Sequence, residues 1–128
     1  MIGMSYTPDL KKTEWWHEID FAYSKSIPEK FTAIMVGWLG NRIPSSGEVL
    51  IEIIEKLEWA YDHRVIDQGW LGEHECEICN NYTDRGEILI IDDDKMYVAP
   101  KMILHYIRDH SYRPPGEFIH AVDKINVT

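Results

Sequence analysis

The sequence predicts an α+β fold, a β-hairpin and several helices around one core. Three features predict it. Leu50, Ile53, Ile54, Leu57 and Tyr61 recur at helical spacing, so one face of a helix is apolar. Residues 87–91 and 96–99 are short apolar runs on either side of the turn-forming stretch 92–95. Ile103, Tyr106 and Ile107, then Phe118, Ile119 and Val122, repeat a helical pattern on both sides of Pro114-Pro115. A hairpin beside flanking helices is the segregated layering of α+β domains.

Taken in order, residues 1–28 receive no element. They hold Trp15, Trp16, Phe21 and Tyr23, which need cover, and Pro8 and Pro28 bracket them. Residues 31–39 form a buried strand or a short apolar element ending at Gly40-Asn41, and periodicity alone does not decide which. Ser45 with Glu48 three residues on matches a capping box, so a helix of about four turns is expected from there. Glu52, Glu55, Lys56 and Glu58 fall between its apolar positions, and it ends before Asp67-Gln68-Gly69. After the hairpin, Pro100 can open a second helix at its first turn, and Pro114-Pro115 stop it. Residues 116–122 make a last short helix.

At 128 residues the chain is expected to be a single domain, 1–128, large enough to hide roughly two-thirds of its unfolded surface. Thirteen Lys and Arg against 22 Asp and Glu give a net charge of -9. Nucleic-acid binding needs a basic stripe to neutralise phosphates, and none is present. The longest uncharged apolar stretch, 31–41, is too short to span a bilayer. The first five residues show no basic segment followed by an apolar one, as a signal peptide would. A cytoplasmic setting is therefore expected, where a CxxC is a metal or redox site more often than a disulfide.

The chemistry concentrates in two clusters. Cys76-x-x-Cys79 contains both cysteines of the chain, and His105-x-x-x-x-His110 follows after 25 residues. Two thiolates and two imidazoles in this order match a tetrahedral zinc site. Gly72 before the pair and Asn80-Asn81 after it suit a tight turn, because Gly and Asn tolerate left-handed backbone. Five residues along a regular helix is a rotation of about 140°, so both histidines reach one ion only if the last turn loosens. His110 lies where Ser111 to Pro115 would force that. Glu73, Glu75 and Glu77 surround Cys76, and negative charge raises a thiol pKa. That disfavours a redox or nucleophilic cysteine and suits a divalent cation. His74 is an alternative third ligand. His105 and His110 are preferred, because a metal joining distant segments gains more from loop closure. The expected metal ligands are thus Cys76, Cys79, His105 and His110, within a zinc-binding part spanning 69–122.

Other patterns carry less. Glu14-x-x-His17 and Glu117-x-x-His120 match the spacing of di-iron carboxylate bundles, but only one long helix is evident. They read as solvated helix faces. Asp92-Asp93-Asp94 reads as a solvated turn, since the Gly and closing Glu of a calcium loop are missing. No Gly-rich phosphate loop, G-x-S-x-G elbow or H-E-x-x-H motif occurs. The five tryptophans and seven tyrosines are expected mainly in the core, with an aromatic partner-binding face as the alternative.

Residues 69–79 (GWLGEHECEIC), 99–110 (APKMILHYIRDH) and 112–122 (YRPPGEFIHAV) resemble a family of small uncharacterised bacterial proteins. Its shared pattern is a CxxC followed by P-x-x-I-x-H-Y-I-x-x-H-x-Y-x-P-P-x-x-F, and the resemblance spans residues 46–122. It implies that Cys76, Cys79, His105 and His110 belong to one site. It transfers no catalytic role.

The expectation is a domain stapled by one structural zinc, whose work is binding a protein partner. Acidic charge and aromatic content suggest that the partner is basic. Two alternatives stand beside it. One is a zinc-dependent hydrolase with an open metal position, using Glu73 or Glu75 as base. The other is an antitoxin-like immunity protein.

Overall fold

Apolar residues at 33–35 and 96–99 are buried because they lie side by side at the centre of a sheet. The computed structural model describes residues 7–13, 32–63 and 73–126. Its elements are β1 (Lys11–Thr13), β2 (Thr32–Met35), α1 (Ile51–Asp62), β3 (Glu73–Glu75), β4 (Thr83–Arg85), β5 (Glu87–Asp92), β6 (Lys95–Pro100), α2 (Ile103–His110) and α3 (Gly116–Asp123). The main sheet has the order β1-β2-β6-β5, with β2 parallel to β6 and the other two pairs antiparallel. β3 and β4 form a separate antiparallel pair. This is an α+β fold, with α1 and α3 packed on β5.

The expected hairpin is β5–β6. Asp92 pairs with Lys95 across a two-residue turn, and Asp93 takes a φ of 61°, which Asp tolerates. Residues 96–100 are buried one after another, so both faces of β6 are covered, as for an interior strand.

The 31–39 segment resolves as a strand over Thr32–Met35, followed by buried irregular backbone. Its polar groups are matched along β6: Val36 N–H and Trp38 Nε1–H both donate to the Val98 carbonyl. Gly37 sits at φ 84°, and a Cβ there would stand 2.9 Å from Ile103 Cδ1. Only glycine meets both demands without a shift.

Two helix starts differ from expectation. α1 begins at Ile51, not near Ser45, and no side chain caps it. Ser45 Oγ instead donates to the Arg113 carbonyl at 2.6 Å. Gly47 N–H bonds the Ser111 carbonyl, and Arg113 N–H bonds that of Ser45. Non-local backbone pairing with 111–113 outcompetes the local capping box. Leu50 is consequently outside the helix and 68% exposed, while Ile53, Ile54, Leu57 and Ala60 face the core. Pro100, likewise, does not open α2. It ends β6 opposite Glu87, and α2 starts at Ile103. A proline at a strand end gives up no ladder bond that the fold needs.

Most described aromatics are core residues. Trp38, Tyr97, Tyr106, Tyr112 and Phe118 are all buried. Trp15, Trp16, Phe21, Tyr23 and Trp70 lie outside the described residues. Among the described residues no helix is long and apolar enough to cross a membrane.

Candidate metal centre

The first half of the centre is the turn between β3 and β4. Asn80 N–H reaches back to the Cys76 carbonyl at 2.8 Å, and Cys76 N–H bonds the Tyr82 carbonyl at 2.7 Å. Asn80 adopts φ 57°, the left-handed geometry its side chain tolerates. The chain therefore doubles back, and both sulfurs face the same side. Burial pushes the Cys76 thiol up, while the backbone N–H groups of Cys79 and Ile78 pull it down. Burial prevails, so Cys76 without a metal is a poor nucleophile.

The second half is the end of α2, which loosens as the histidine spacing requires. Ser111 N–H bonds the Tyr106 carbonyl five residues back, rather than the usual four. Tyr112 N–H joins the same carbonyl at 3.1 Å, and Ser111 is left-handed at φ 55°. The widened turn swings His110 toward His105 until their Nε2 atoms are 3.2 Å apart. Burial lowers the His110 pKa, with the adjacent His105 adding to the effect and Asp109 opposing it. Together these favour the neutral form of His110, the form that ligates.

The halves meet with Cys76 Sγ 3.5 Å from His110 Nε2 and Cys79 Sγ 3.5 Å from His105 Nε2. Their four ligand atoms lie within 4.8 Å of one another. A zinc tetrahedron with ordinary bond lengths has S–N edges of about 3.5 Å and an N–N edge of about 3.3 Å. The side chains stand at those separations, so this Cys₂His₂ cluster can hold a metal ion. Among the described residues it is the one group of three or more potential ligands so placed.

His74 and Glu73 place their backbones in β3, opposite Asp84 and Arg85, and their side chains lie outside the described residues. Cys76, Cys79, His105 and His110 come together as a group of four among the described residues. Glu75 and Glu77 are exposed around the turn. Glu117 accepts from the Tyr97 hydroxyl at 2.8 Å, and His120 is exposed, so this pair joins no cluster. Glu14 and His17 lie outside the described residues. Asp92 pairs with Lys124, and Asp93 and Asp94 are a solvated turn as expected.

Two neighbours escaped the sequence reading. The Asp109 carboxylate stands 2.8 Å from His105 Nδ1. The contact lacks hydrogen-bond alignment, since buried Nδ1 has no aligned partner. It is best described as an electrostatic contact that favours the proton on Nδ1 and leaves Nε2 for a metal. The i, i+4 spacing on α2 was the available signal. Tyr82 stacks flat on His105, with centroids 4.2 Å apart and planes 8° from parallel. Nothing in the sequence announces that contact, because it joins the β3–β4 turn to α2.

The model of a family described as "Domain of unknown function (DUF7919)" matches residues 5–123. The match takes in the N-terminal third, beyond the 46–122 stretch that carries the motif resemblance. No curated protein and no solved structure matches the chain.

Proposed function

The chain belongs to this family of unknown function, and from that premise we propose that it is a protein-binding module stapled by one structural zinc ion. Cys76, Cys79, His105 and His110 would hold the ion. The single observation that carries this is the set of donor separations, 3.5, 3.5 and 3.2 Å, which match three of the six edges of a zinc tetrahedron. Two sulfurs with two imidazoles select zinc among abundant divalent metals.

The ion would tie the β3–β4 turn to the end of α2, segments joined otherwise by a long excursion through β5 and β6. Metal binding of this kind is folding free energy. Four side-chain donors leave no position for an activated water, which a zinc hydrolase needs. Binding is then the function that fits, in a reducing compartment where the thiols persist. The excess of 22 acidic over 13 basic side chains favours a basic protein partner.

The test is elemental analysis of untagged protein by plasma mass spectrometry, beside Cys76→Ser. One zinc per chain in the wild type and none in the variant is the expected result. No metal in either would sink the reading.

A further inference from the structure

Beside the metal centre lies a cleft of about 450 Å³, within the size range of ligand sites. Glu58, Tyr61, Asp62, Tyr82, Lys101 and Arg108 are among the residues that line it. One of its two tyrosines already carries a cation. Lys101 Nζ stands 4.6 Å from the centroid of the Tyr61 ring and 3.6 Å from Asp84, another lining residue. Arg108 is held by Glu58. The second tyrosine, Tyr82, has one ring face on His105, yet it is 40% exposed. Its hydroxyl donates to Asp84 at 3.1 Å, which fixes the ring where it borders the cleft. Asp62, at the end of α1, has no ion-pair or hydrogen-bond partner among the described residues.

The cleft thus contains one filled arrangement, Tyr61 with Lys101 and Asp84, while the exposed Tyr82 and the unpaired Asp62 line the same cleft. Three lining carboxylates (Glu58, Asp62, Asp84) face two cations (Lys101, Arg108), leaving one negative charge unmatched. We infer that the cleft receives one arginine side chain of a basic partner protein, stacked on the open face of Tyr82 with its charge toward Asp62. A planar guanidinium suits this better than an ammonium, because it can stack on the ring and present its N–H edge to a carboxylate. An anionic side chain would meet the unmatched negative charge, and an apolar one would strand the charged lining. The inference rests on the structural-zinc reading, since the turn and α2 together place Tyr82.

The experiment is a titration of the zinc-loaded full chain, followed by NMR at the Tyr82 ring and the Asp62 amide. The probes are N-acetyl-arginine amide and its neutral isostere, N-acetyl-citrulline amide. Saturable shifts with the arginine probe alone are expected, weakened at least about fivefold by Asp62→Lys, as for loss of an exposed ion pair. No saturable shift up to about 50 mM probe overturns the inference, since that is weaker than a useful anchor. So does an equal response to citrulline, or a response that Asp62→Lys leaves unchanged. Zinc content of the same samples separates the two readings. One zinc per chain without an arginine-specific shift overturns the cleft alone. Metal-free protein that still gives the arginine-specific shift overturns the zinc reading alone.

Discussion

The Asp109 carboxylate lies 2.8 Å from His105 Nδ1, one helical turn along α2, on the side of the ring opposite the Nε2 that faces Cys79 Sγ. A carboxylate behind an imidazole favours the tautomer with its proton on Nδ1 and leaves Nε2 free to ligate. Asp109→Asn is therefore expected to weaken zinc binding about tenfold while leaving the fold intact. Competition with a chelator of known affinity measures it, and circular dichroism checks the fold. Unchanged zinc affinity would reduce Asp109 to an ordinary surface carboxylate.

Cys79→Ser removes one donor and should release the metal. Because the ion would close the long excursion between the turn and α2, the loss should cost several kcal/mol of stability. Thermal melting of the variant should coincide with that of chelator-treated wild type. A variant melting at the wild-type temperature would rule out a structural metal.

Tyr97 links β6 to α3 through its hydroxyl bond to Glu117, at 2.8 Å. Burial, and then this bond and the charge of Glu117, raise the Tyr97 pKa above its ordinary value near 10. The raised group is neutral when protonated, so in strongly alkaline solution the folded state holds more protons than the unfolded one. Its contribution is present below pH 10 and declines as pH rises further. Tyr97→Phe should cost about 1 kcal/mol at neutral pH and flatten part of the alkaline decline. Tyr106, raised mainly by burial, should contribute in the same direction. Urea melts at neutral pH and above pH 10 would show both effects. An unaltered alkaline slope in the variant would exclude Tyr97 as its source.

Gly37→Ala meets two obstacles, the φ of 84° and the Ile103 Cδ1 atom 2.9 Å from the new Cβ. The expected cost is about 2 kcal/mol, combining backbone strain and overpacking. Ile103→Val in the same chain removes Cδ1 but keeps Cγ1, 3.0 Å from the new Cβ, so it should recover only a portion of the steric part. A full recovery in denaturant melts would show that φ contributes nothing.

The clustering of Cys76, Cys79, His105 and His110 was legible in the sequence because the rules behind each half are local. Cys76 and Cys79 are three positions apart and Asn80 permits the reversal, so the turn could be read without knowing its neighbours. The same is true of the loosened turn at His110, which the spacing of the histidines and the following prolines demand. The hairpin and the inward faces of α1, α2 and α3 follow from periodicity, which is also local. Tertiary structure decided where local preference met a distant competitor. Ser45 could cap a helix, but backbone groups at 111–113 offered bonds that sequence proximity does not reveal. Pro100 could begin a helix, but Glu87 across the hairpin kept it in the sheet. The parallel pairing of β2 with β6, the stacking of Tyr82 on His105 and the cleft between α1 and α2 all join residues far apart in the chain. Such contacts depend on packing the whole core at once, which no short window of sequence encodes.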